Sequence, residues 1–211
     1  MLGSEVAHLA LPHPVLARAG AVHGQRAGDQ PLVERLGARN LVGVGEIDQH
    51  GKVEIAIADM AEDRSRLWQA RHDAYWAGRG LRPGAKAIAT DVCVPISRLA
   101  ECVTETQRDI AANALVAPIL GHVGDGNFHL TLLVDMADRD ELERAKGLCE
   151  RLVERALAME GTCTGEHGIG QGKMKYLEAE YGAAALAAMR AVKRALDPDD
   201  IMNPGKIVSL D

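Results

Sequence analysis

LVAPILGHVGDGNFHLTLLVD, residues 115–135, carries the strongest structural signal in the chain. Two apolar runs, 115–123 and 127–135, flank a short glycine-rich turn, which is the signature of two antiparallel strands joined as a hairpin. In the second run Phe128, Leu130, Leu132 and Val134 alternate onto one face. His129 falls on the opposite face with Asn127 and Thr131, and His122 ends the first run. Glycine tolerates positive φ, and Asp and Asn hydrogen-bond their own backbone, so VGDGN reads as turn chemistry between two imidazoles.

Outward from the hairpin the pattern is regular. VEIAIA (53–58) reads as a strand and 60–78 as a helix with Leu67, Ala70, Ala74 and Ala77 on one stripe. IATDVCVP (88–95) reads as a strand. Ser97 is the expected N-cap of a helix over 98–113, with Leu99, Val103, Thr106 and Ile110 facing the core. Asp138 with Glu141 makes a capping signal for a helix over 139–159, and Gly161 follows its end. A polar glycine loop spans 161–173, and an Ala-rich helix over 174–196 closes at Asp197-Pro198. This order predicts an α+β fold: a ferredoxin-like, mostly antiparallel sheet with helices packed on one face. Residues 1–48 hold no aromatic residue and no sustained period, so they are expected to be an atypical segment, poorly ordered or an add-on, ahead of a domain over 49–211.

Composition excludes several classes. A net charge of −6 over 211 residues, with no basic run, is the wrong balance for a nucleic-acid binder. Apolar runs are too short to cross a bilayer, and the N-terminus lacks the charged and apolar regions of a secretory signal. Cys93, Cys102, Cys149 and Cys163 contain no Cys-x-x-Cys pair and read as reduced thiols. GIGQGK is no P-loop, because His167 stands where the first glycine belongs and Met174 follows the lysine.

The chemistry-bearing residues are few. His122 and His129 alone, as a pair of strand-end histidines, are more often structural than ligands. GEHG (165–168) adds a carboxylate and an imidazole on a loop with no evident packing purpose. His122, His129 and Glu166 then form a nitrogen/oxygen donor set suited to a divalent ion such as Zn²⁺ or Mn²⁺. Cys163 near His167 permits a thiol nucleophile, but no orienting third group accompanies it. Arg71 is either a solvated arginine lying over Trp68 and Tyr75 or a carboxylate clamp. Lys206 on its own reads as a tail lysine.

GHVGDGNFH, GEHGIGQGK (165–173) and LDPDDIMNPGK (196–206), in this order, resemble the C-terminal half of FAD-linked 2-hydroxyacid dehydrogenases, which are vanillyl-alcohol-oxidase-like flavoproteins. LWQARHDAYWA (67–77) and ATDVCVPISRL (89–99) are similar to the D-lactate dehydrogenase (cytochrome) branch, more than to the glycolate or D-2-hydroxyglutarate branches, and the resemblance covers about residues 53–208. It implies the cap, or substrate, domain of such an enzyme. It implies His122, His129 and Glu166 as metal ligands, His167 as general base, Arg71 as the substrate-carboxylate arginine, and Asn203 and Lys206 on the flavin side. It also implies oxidation of a 2-hydroxy acid to the 2-oxo acid with hydride transfer to FAD. The family's FAD domain has no counterpart, so a truncated chain is expected, complemented by a separate FAD-domain chain or self-associating through an exposed sheet edge. The rival expectations are a non-catalytic metal-binding module and a structural remnant. Placement in the cytoplasm or at the membrane periphery follows from the resemblance alone.

Overall fold

The computed structural model describes the backbone of residues 15–18, 42–47 and 53–58, and the chain from 60 to 210. Its strands are β1 (Val15–Arg18), β2 (Val42–Ile47), β3 (Val53–Ala58), β4 (Lys86–Ala89), β5 (Val92–Cys93), β6 (Ile119–His122) and β7 (Asn127–Val134). Its helices are α1 (Ala61–Gly80), α2 (Ile96–Ala112), α3 (Arg139–Ala158) and α4 (Leu177–Leu196). The expectation for residues 1–48 falls mostly outside the described residues, which include only β1 and β2 from that stretch.

The strands lie in the order β3-β2-β1-β6-β7-β4, and β5 also pairs with β7. Every pairing is antiparallel except β1 with β6. The α+β expectation of a mostly antiparallel sheet with packed helices is therefore met. Phe128, Leu130, Leu132 and Val134 form the core with Leu99, Cys102, Val103 and Ile110 of α2 and Ala145, Leu148, Leu152 and Ala156 of α3. Burying these two apolar helix faces on one apolar sheet face is the main stabilising term. Among the described residues, all four cysteines are free and no helix is long and apolar enough to cross a membrane.

Several local expectations are corrected. The run 88–95 is not one strand: the ladder breaks at Thr90-Asp91, where the Asp91 side chain turns into the interior. β6 begins only at Ile119, although an isolated bridge joins Val116 to Leu133, because Pro118 has no N–H for the ladder. Helix α2 starts at Ile96 behind Pro95, not behind Ser97, and no side chain caps it. On α1, Ala74 and Gly78 are buried while Ala70 and Ala77 are exposed; a Cβ on Gly78 would lie 3.2 Å from Pro118 Cγ, so the helix approaches the sheet there. The last helix begins as a 3-10 turn over Met174–Tyr176, and α4 is kinked at Gly182.

The capping signal at α3 is half realised. Asp138 accepts from the Glu141 N–H at 3.0 Å, but the Glu141 carboxylate does not return the bond. It pairs instead with Arg82, which also donates to the Leu133 carbonyl at 2.9 Å. The Arg82 hydrogen bond holds Glu141 below the ordinary carboxylate range. A depressed carboxyl contributes stability that is fully present above its unfolded pKa, about 4.3, and lost as pH falls through the folded value. We expect Arg82→Met to be destabilised at pH 7, and its deficit relative to wild type to shrink as urea unfolding is repeated from pH 6 down to pH 3. A deficit independent of pH would show that Arg82 acts by packing alone.

Candidate metal and catalytic site

The hairpin register puts both imidazoles on one face. His129 stands opposite Leu120 and His122 opposite Asn127, and residues paired across a ladder share a face. The rings meet edge to face, with centroids 5.7 Å apart. Glycine is required beside them. A Cβ on Gly126, whose φ is +71°, would lie 2.0 Å from the Val94 carbonyl oxygen, and one on Gly121 would lie 2.7 Å from the Asn127 carbonyl oxygen. The 3-10 turn Val123–Asp125 closes the hairpin, and Val94 N–H donates to Gly126 O at 2.9 Å, tying it to the segment after Asp91.

The 161–173 loop brings the third donor. His122 Nε2 lies 2.7 Å from Glu166 Oε1, and His129 Nε2 lies 3.8 Å from Glu166 Oε2. One donor atom from each of His122, His129 and Glu166 falls within 4.8 Å of the others. His167 stacks on His129, with centroids 4.9 Å apart and planes 10° apart. Four of the residues singled out in the sequence thus converge.

Protonation favours ligation. His129 Nδ1 lies 3.2 Å from the Thr90 carbonyl, which can only accept, so that nitrogen carries the proton and Nε2 presents its lone pair toward Glu166. Burial pushes the His129 pKa down, outweighing the nearby Asp91 charge, and keeps the ring neutral near pH 7. A metal-binding histidine needs this arrangement: a neutral ring whose second nitrogen donates to a fixed acceptor. Two imidazoles and a half-exposed carboxylate make a donor set that fits Zn²⁺ or Mn²⁺.

The loop itself is held by a group that the sequence reading did not single out. The Asp91 side chain is fully buried. Its Oδ2 accepts from the N–H groups of Gly165, Glu166 and His167, each at 2.8 Å, and from Thr164 Oγ1 at 2.7 Å. Its Oδ1 accepts from Asn127 Nδ2 at 2.7 Å and lies 3.5 Å from His129 Nδ1. Lys173 donates to the Asp91 carbonyl at 2.7 Å and stands 3.8 Å from Oδ2. Burial alone would raise the Asp91 pKa; the bonds from His167, Thr164, Asn127 and Glu166 outweigh it and hold the carboxyl far below the usual range. The available signal was an aspartate in an otherwise apolar strand run, a charge that must find partners once buried.

Arg71 belongs to α1, but its side chain lies outside the described residues. Asn203 and Lys206 are exposed, and Lys206 Nζ donates to Pro204 O at 3.3 Å. Their tail is anchored to the loop: Ile207 N–H donates to Gly170 O at 2.8 Å, and Asp197 accepts from Ile201 and Met202 N–H. Cys163 is buried, and burial pushes its thiol up to about 12, which opposes the nucleophile reading.

The family described as FAD linked oxidases, C-terminal domain, matches residues 29–207. The chain is similar to a Danio rerio protein named "Probable D-lactate dehydrogenase, mitochondrial", 53% identical over 161 residues, which are 76% of this chain and 32% of that protein. It is 44% identical to an Arabidopsis thaliana protein named D-lactate dehydrogenase [cytochrome], mitochondrial, over 76% of this chain and 28% of that protein. The chain thus spans about a third of the length of these relatives. Among solved structures, 4-ethylphenol oxidase from Gulosibacter chungangensis in its isoeugenol complex shares the fold with a TM-score of 0.52 at 16% identity, over 76% of this chain and 34% of that one.

Proposed function

Because the chain belongs to the family of FAD linked oxidases, C-terminal domain, as the motif resemblance implied, we propose that it is the substrate- and metal-binding part of an FAD-dependent D-2-hydroxyacid dehydrogenase. The proposed substrate is D-lactate and the product its 2-oxo acid. One observation carries the reading: His122, His129 and Glu166 present donors within 4.8 Å of one another, with His167 stacked beside them.

In this reading His122, His129 and Glu166 hold one divalent ion, Zn²⁺ or Mn²⁺. A bound metal supplies Lewis-acid polarisation of the substrate oxygens, and FAD, held mainly by polypeptide outside these residues, supplies the hydride acceptor. His167 takes the proton of the substrate hydroxyl. Its exposed ring on a neutral, fixed His129 is free to approach substrate while staying in register with the ligands. Arg71 binds the substrate carboxylate through its guanidinium fork. Asn203 and Lys206, exposed on a tail pinned at Gly170, offer an edge toward the flavin rather than an enclosing pocket.

The test is metal content of the purified chain, by elemental analysis, beside His122→Ala and Glu166→Ala. The expected result is about one divalent ion per chain, lost in both variants. A folded wild-type chain that takes up neither Zn²⁺ nor Mn²⁺ on titration would overturn the site. Metal binding without D-lactate oxidation when the flavin-bearing part is supplied would leave a non-catalytic metal module. Turnover of glycolate in preference to D-lactate would change the substrate and keep the chemistry.

A further inference from the structure

We propose that Asp91 is the positioning residue of this site: its buried carboxylate is the template on which residues 164–167 fold, and through that loop it sets where Glu166 and His167 stand against His122 and His129. The inference rests on reading those residues as the metal and base site, and deepens it.

The geometry is that of an anion nest. Three consecutive N–H groups, from Gly165, Glu166 and His167, converge at 2.8 Å on a single oxygen. Such concavities ordinarily take a phosphate or another external anion. Here the anion is internal, from a strand break 74–76 residues earlier in the chain. The loop is built around it. A Cβ on Gly165 would lie 2.0 Å from Asn127 Nδ2 and 3.1 Å from Asp91 Oδ1, so only glycine lets the backbone come this close. Thr164 adds its hydroxyl to the same oxygen, and Lys173, at the far end of the loop, brings a positive charge.

The same carboxylate touches the supports of two of the three donors. Oδ2 holds the Glu166 backbone, and Oδ1 lies 3.5 Å from the ring nitrogen of His129 that faces away from Glu166. Asn127, bonded to Oδ1 and to the Val92 carbonyl, joins this arrangement to the hairpin at the register position opposite His122. One buried oxygen pair therefore relates the hairpin histidines to the loop carboxylate. Asp91 itself is not a ligand in this scheme, since both oxygens are occupied by protein donors.

The experiment uses the purified chain and Asp91→Asn. That substitution keeps size but removes the charge, and sets an NH₂ group against either the nest N–H groups or the Asn127 amide. Two readouts are taken. The first is amide hydrogen exchange at residues 165–167, which needs no metal. The second is the affinity and visible absorption spectrum of bound Co²⁺. The expected results are slow exchange at 165–167 in wild type that becomes fast in Asp91→Asn while α2 and α3 stay protected, and a Co²⁺ affinity weakened about 10–100-fold with an altered spectrum. Should Asp91→Asn fail to fold, Thr164→Val removes one bond to the same oxygen and is expected to weaken Co²⁺ binding about fivefold.

Unchanged protection at 165–167 in Asp91→Asn overturns the template. An unchanged Co²⁺ spectrum and affinity overturns the positioning role. Wild type that binds no Co²⁺ but loses protection in Asp91→Asn upholds the template and sinks the metal reading instead, so the two failures are distinguishable.

Discussion

Gly126→Ala is expected to destabilise the chain by about 2–4 kcal/mol, combining a left-handed backbone cost with steric overpacking. At φ +71° an L side chain is disfavoured whatever the space, and here the added Cβ meets the Val94 carbonyl oxygen at 2.0 Å. That oxygen is backbone, beside the bond from Val94 N–H to Gly126 O, and cannot rotate away. The hairpin must therefore shift, carrying His122 and His129 with it. Gly168→Ala is the control. Its φ of +76° carries the same conformational cost, but nothing lies within 4 Å of the added Cβ. It should lose only about 1–2 kcal/mol. Urea unfolding of both variants at unchanged m measures the difference. Equal losses would mean that backbone strain, not the approach to Val94, explains the glycine.

Leu130→Ala is expected to cost about 3–5 kcal/mol, in the upper part of the range for buried leucines. Leu130 is fully buried on β7 in the core shared with α2 and α3. Its neighbours are held by long helices on one side and by strand pairing on the other, so the cavity cannot close. In a chain of this size the loss lowers the melting temperature by roughly 2–4 °C for each kcal/mol. Leu196→Ala, at a leucine 73% exposed, should stay within about 0.5 kcal/mol of wild type. A small loss at Leu130 would show that β7 can collapse toward the helices.

Much of this architecture was legible because its signals are local. The alternation of Phe128, Leu130, Leu132 and Val134 is a period-two pattern, and all four are buried as that pattern predicts. The stripe Leu99, Val103, Thr106 and Ile110 has the helical period, and all four are buried. The stripe on α1 failed where close approach rather than hydrophobicity decided burial: Gly78 packs against Pro118, while Ala70 and Ala77 face solvent. Ser97 failed as a cap because Pro95, with its fixed φ and missing N–H, already sets the helix start. Glu141 fits a capping box by spacing, but a charge so deeply buried found a stronger partner in Arg82, 59 residues away.

Local patterns along the chain name the residue types of the site and their carriers. They name two histidines at the ends of a glycine hairpin and a Glu-His pair on a glycine loop, since strand alternation and turn chemistry are short-range properties of the chain. That these groups meet, and what holds them together, is set by long-range pairing in the fold. The ladder register turned His122 and His129 to one face, and the buried Asp91 carboxylate drew the loop's N–H groups onto a single oxygen. A buried charge takes whichever donors the fold brings to it, and those donors lie 36 to 76 residues along the chain, beyond the reach of any local pattern.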